Sequence, residues 1–206
     1  VTFPVELASV LTGASISQLK GWRSSGLLVP ELQSTPVVLY SFRDIIALRT
    51  FVRMRANISL QKIRKAVAAL PEFDLTDHPS QYQLHTDGKS VYFSDDGRSI
   101  DLVEKKGQQL LVNLQDVFAP FENMQGTDVI DFRRPRPHLE VREARLGGWP
   151  TVENTRVAFD TIGKLLTGGE VAPEDASRFY PSVTARGATD AKDLYDQVTS
   201  LRRRSA

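Results

Sequence analysis

The chain has 206 residues, 41% hydrophobic and 25% charged, which is enough apolar mass for a packed core and shows no bias toward disorder. It contains no cysteine, which excludes disulfides and thiolate metal sites, and no apolar run of membrane-spanning length, so no membrane partner is expected. The formal net charge is +1, yet residues 1–70 carry nine basic and three acidic groups, a local +6, while the remainder holds 17 basic and 22 acidic groups. Positive charge gathered at one end suits a module that meets phosphates. With no secretory leader pattern at the start, a cytoplasmic location is expected.

Pro4 to Leu11 reads as a short helix with Val5, Ala8 and Leu11 on one face, broken at Thr12-Gly13-Ala14. Ser15-Ile16-Ser17-Gln18 has the form of a capping box opening a second helix. There Ile16, Leu19 and Trp22 recur on one face and Ser17, Gln18, Lys20, Gly21 and Arg23 on others. Gly26 stops this helix. Leu27–Pro30 and Val37–Tyr40 read as two short strands around a loop, the pattern of a small β wing. Ser41 then caps a third helix with Ile45, Leu48 and Val52 at helical spacing, in which Arg49, Arg53 and Arg55 read as a solvated face. Ser59 starts a fourth, with Leu60, Ile63, Val67 and Leu70 as its buried stripe.

These residues resemble the DNA-binding half of the MerR family. The match is carried by Ser15, Ser17-Gln18-Leu19, Trp22, Gly26-Leu27-Leu28, Pro30, Tyr40-Ser41, Asp44, Leu48-Arg49, Ile58-Ser59-Leu60 and Ile63. The resemblance implies a winged helix-turn-helix over residues 1–74. Its second helix enters the major groove of operator DNA through Ser15, Ser17, Gln18, Lys20 and Arg23, while Tyr40 and Arg43 meet phosphates near the wing. Two departures stand out. Val38 and Leu39 occupy the place where the family carries arginine before the wing tyrosine, and Leu70-Pro71 ends the helical pattern where a long dimerisation helix would follow.

From Tyr82 to about Phe118 the period becomes strand-like, with turn signals at Asp87-Gly88 and Asp95-Asp96-Gly97. This predicts a three- or four-stranded antiparallel meander within residues 75–120, with a helical turn over Leu114 to Phe118. Asp95 and Asp96 read as turn chemistry rather than metal ligands, and His78, His85 and His138 show no ligand or triad spacing. Arg133-Arg134-Pro135-Arg136-Pro137 marks a stiff, positively charged connector within residues 121–144, either a solvated linker between two folded units or a passing contact to DNA phosphates.

In the last segment, residues 145–206, three helical patterns follow a Gly/Pro-rich entry. Gly148, Pro150, Val152, Thr155, Arg156 and Val157 resemble the hallmark of the DUF433 family, with Asn154 in place of the usual glycine. The resemblance implies a three-helix unit, itself helix-turn-helix-like, and an association with VapB-type antitoxins that neutralise PIN-type ribonuclease toxins. The acidity of this unit (Glu170, Glu174, Asp175, Asp190, Asp193, Asp196) favours packing and dimerisation over a second DNA contact. Arg202-Arg203-Arg204 either complements the last helix dipole or begins a toxin-docking tail. The expected fold class is therefore α+β, mainly helical. The expected function is a homodimeric DNA-binding antitoxin, the alternative a stand-alone MerR-like regulator dimerising through its C-terminal unit. No phosphate loop, nucleophile motif or metal constellation suggests an enzyme, and no cofactor is expected.

Overall fold

A computed structural model describes residues 2–33, 35–73, 75, 77–95, 98–103, 109–110 and 117–205. The first half opens with β1 (Phe3–Pro4), α1 (Val5–Thr12) and α2 (Ile16–Ser24), followed by β2 (Leu39–Tyr40), α3 (Phe42–Arg55) and α4 (Leu60–Ala69). Next come β3 (Gln83–Thr86), β4 (Val91–Asp95), β5 (Arg98–Asp101) and β6 (Gln109–Leu110), then β7 (Phe121–Glu122), β8 (Asp128–Val129), β9 (Leu139–Glu140) and β10 (Thr151–Val152). The chain closes with α5 (Phe159–Leu165), α6 (Ala176–Phe179) and α7 (Ala185–Ser205). The protein is thus α+β, with helices around small antiparallel sheets.

Local chemistry explains most boundaries. The Ser15 hydroxyl accepts from Gln18 N, and Gln18 Oε1 accepts from Ser15 N, so the expected capping box starts α2. Ser41 and Asp44 form a second box at α3, and each such cap contributes about 1 kcal/mol. α1 stops because Gly13 turns left-handed at φ +76° and its N–H closes on Ser9 O. That turn is also tightly covered: a Cβ on Gly13 would lie 2.4 Å from Val129 Cγ2. Leu19 and Trp22 are buried as the stripe predicted, Trp22 meeting the edge of Phe51.

The strand expected over Leu27–Pro30 does not form. Leu27 and Leu28 instead turn inward, both buried, with their N–H groups on Trp22 O. A strand there would expose these leucines on alternate faces, and Pro30 has no N–H to give a ladder. β2 pairs with β1, Phe3 opposite Tyr40 and Pro4 opposite Leu39, and the intervening loop is closed by a single Gln33–Leu39 bridge.

The meander is four-stranded in the order β3-β4-β5-β6, its first turn set by the Asp87 carboxylate accepting from Lys89 N and Ser90 N. Asp96, Leu111-Val112 and most of the expected turn over Leu114 to Phe118 lie outside the described residues.

The Arg133–Pro137 run within residues 121–144 is not a free connector. Arg136 is held by Asp193 at 2.5 Å and Gln197 at 2.6 Å on α7, and Arg133 lies 4.3 Å over the Phe118 ring. One hydrophobic core runs from Phe3 through α3 to Leu194 and Val198 on α7. Trp149 packs at a tilt between Phe3 and Phe159, and Phe42 packs on Gly148. That core takes in residues on both sides of positions 74, 120 and 144.

Candidate nucleic-acid interface

α2 presents one face to solvent. Ser17, Lys20, Gly21 and Ser24, at helical spacing, are all exposed, and nothing lies within 4 Å of where a Gly21 Cβ would be. Ser15 is exposed at the N-cap, but its hydroxyl is engaged in the capping box. Gln18 shares that box and turns toward a narrow crevice with Trp22, Asn123, Met124 and Gln125. The β7–β8 hairpin makes the other wall, tied to the α1–α2 turn by Asn123 Nδ2 donating to Gly13 O at 3.3 Å. Arg23 is half-buried near Tyr40.

Tyr40 is not offered to a phosphate. It is 1% exposed, and burial raises its phenol to about 12 despite the opposing pull of Arg23. The residue packs inward because β2 is covered by β1 and α3. Arg43 is half-exposed but bound to Glu31 at 2.6 Å, while Glu31 Oε2 accepts from Ser41 Oγ. At the loop between α2 and β2, Val29, Leu32 and Val37 are all exposed.

Glu31, Asp44 and His78 meet beneath this loop, a cluster the sequence spacing hid. Its donors and acceptors are already matched. Asp44 Oδ2 accepts from Ser41 N at 2.7 Å and Glu31 N at 3.1 Å, and Oδ1 meets His78 Nε2 at 3.1 Å. His78 Nδ1 accepts from Ser80 N, so Nε2 carries the proton and donates to Asp44. The cluster staples the loop to the start of α3; a metal would have to break these bonds.

Arg49 departs furthest from expectation. It is fully buried, with five donor–acceptor contacts to backbone carbonyls: Leu11 (2.7 Å), Val117 (2.7 Å), Phe118 (3.2 Å), Ala119 (3.0 Å) and Ile130 (2.6 Å). Its guanidinium also lies over Phe121 and Phe132. Arg53 stacks on Phe121, and Arg55 donates to Ile58 O, so none of the three forms a simple solvated face. Much of the N-terminal positive charge thus holds the fold, leaving Lys20, Arg64, Lys65 and the Glu31-bound Arg43 exposed.

Beside Arg49, an open cleft of about 470 Å³ separates α3 from β3, walled by Ile46, Thr50, Tyr82, His85 and Phe118. Burial holds the His85 imidazole below its ordinary 6.5, outweighing the Gln83 carbonyl and Asp87, which pull upward. The unfolded chain therefore binds a proton at a pH where the folded one does not. The stability tied to His85 is complete above 6.5 and declines as pH falls through the window below it. His85→Gln should flatten urea-unfolding stability between about pH 7 and 5; an unaltered slope would remove His85 as the source.

No protein family, no curated protein and no solved structure shows a significant match to this chain. The site's chemistry rests on its own geometry. Among the described residues no helix is long and apolar enough to cross a membrane.

Proposed function

We propose that this chain is a sequence-specific DNA-binding regulator whose α2 enters the major groove as in a MerR-like winged helix-turn-helix. The observation carrying this reading is the exposed Ser17–Lys20–Gly21–Ser24 face on a helix held by a capping box, a left-handed glycine turn and the Trp22–Phe51 contact. Short hydroxyls, a lysine and a glycine allow close approach to base edges and phosphates. Arg23 stands half-buried on the same helix, and Arg43 is held by Glu31. The loop from Leu27 to Leu39 serves as a wing closed by one bridge rather than a hairpin.

Lys20→Ala combined with Arg23→Ala should weaken binding to the promoter fragment and make the salt dependence shallower by about one to two in slope. Unchanged affinity at moderate salt would end the groove assignment.

The resemblance at Gly148 to Val157 supports a more specific role: an antitoxin of the VapB type that acts as a homodimer on its operator and neutralises a PIN-type ribonuclease in the cytoplasm. Co-expression with the product of the adjacent gene should give a stable complex. A neighbour that is neither toxic alone nor bound would leave the stand-alone regulator.

A further inference from the structure

The proposed DNA contacts leave unused a second concentration of positive charge, in the C-terminal unit. Arg142, Arg145 and Arg156, with Asn154 and Thr155, line one shallow cavity of about 410 Å³. The arrangement is built around the Glu140 carboxylate, whose side chain is 5% exposed. Arg142 donates to it through Nε at 2.7 Å, Arg145 through Nη1, and Asn154 through its backbone N–H at 2.8 Å. Asn154 adopts the left-handed φ of +58°, and it lines the cavity together with Arg156.

These contacts fix two guanidiniums without consuming them. Arg142 keeps both terminal nitrogens, and Arg145 keeps Nε and Nη2. Arg156 is exposed and has no partner among the described residues. Three cations against one buried carboxylate leave a surplus of two positive charges facing the cavity. A single carboxylate would be matched by one bidentate arginine. A tetrahedral phosphoryl anion with several acceptor oxygens can engage all three.

We propose that Arg142, Arg145 and Arg156 form a phosphate-binding site, distinct from α2, for a phosphoryl group carried by a small phosphorylated molecule or by a nucleic-acid backbone. Glu140 acts as the positioning residue, holding Arg142 and Arg145 in place before the anion arrives.

The test titrates inorganic phosphate into the full chain at constant ionic strength, with chloride as control, by calorimetry. Saturable binding is expected, weakened about ten-fold or more in Arg156→Ala, with the phosphate-free melting temperature unchanged because Arg156 supports no fold contact. Arg142→Lys, which keeps the charge but loses the fork, should weaken binding less. A second arm compares random-sequence duplex binding against salt. A shallower slope in Arg156→Ala assigns the phosphate to nucleic acid; an unchanged slope with intact phosphate binding by the parent assigns it to a small molecule. The Lys20→Ala, Arg23→Ala variant should bind phosphate normally, so failure of the α2 reading leaves this result intact. No saturable phosphate binding, or equal binding by Arg156→Ala, overturns the site.

Discussion

Arg49→Met is expected to cost the protein about 3–5 kcal/mol, measured as a lower urea midpoint with little change in slope. Methionine fills much of the same volume but offers no donor. The carbonyls of Leu11, Val117, Phe118, Ala119 and Ile130 would lose their shared partner inside the protein. Each buried unsatisfied group costs about 1–3 kcal/mol, and partial relaxation or entering water keeps the total below the simple sum. Since a domain is stable by about 5–15 kcal/mol in all, this single change should bring the chain close to unfolding. Arg49→Lys should fall between, because an ammonium has three donors and no planar fork. A loss below about 1 kcal/mol for Arg49→Met would mean the clamp is not what holds residues 117–130 against α1 and α3.

Gly148→Ala should be nearly as damaging, at about 2–4 kcal/mol. Gly148 has φ +85°, which disfavours any side chain, and a Cβ there would stand 2.3 Å from Cδ2 and 2.5 Å from Cε2 of the Phe42 ring. Phe42 is the first residue of α3 and itself packs on Phe132, so it has little room to retreat. The substitution pries the entry to the C-terminal unit away from the first half of the molecule. Gly21→Ala is the matched control: it meets open space on α2 and should stabilise by about 0.5–1 kcal/mol. If Gly148→Ala unfolds at the parent's urea concentration, the close approach to Phe42 does not define this interface.

What could be read from the sequence was local. The caps at Ser15 and Ser41, the break at Gly13 and the buried Leu19 and Trp22 each depend on neighbours a few residues away. The meander was legible for the same reason, since Asp87-Gly88 and the alternation on either side set it. Pairing of Phe3 with Tyr40 was not, because two-residue strands far apart in the chain carry no period. Arg49 was misjudged because an arginine on a helix is ordinarily a surface residue. One signal was available: Ile45, Ile46, Ala47, Leu48, Phe51, Val52 and Met54 leave α3 apolar on nearly every side, and such a helix is buried all round. The covering segment with Phe121 and Phe132 looked like a connector because its strands are only two residues long.

On the candidate site the outcome divides along the same line. Ser17 and Lys20 stand on the exposed face because helical periodicity alone put them there. Tyr40, Gln18 and Arg43 are diverted by partners distant in sequence: β1 and α3 around the first, the β7–β8 hairpin beside the second, Glu31 on the third.

The continuous core has a thermodynamic consequence. Because Phe3, Phe42 and α1 share contacts with Trp149, Gly148 and α7, the first and last thirds of the chain cannot melt independently. Anything bound by the native C-terminal unit but not by the unfolded chain therefore multiplies the folded-to-unfolded ratio of the whole chain, α2 included, by 1 + [L]/Kd. Occupancy at one end then protects α2 at the other against unfolding, with no change of shape required.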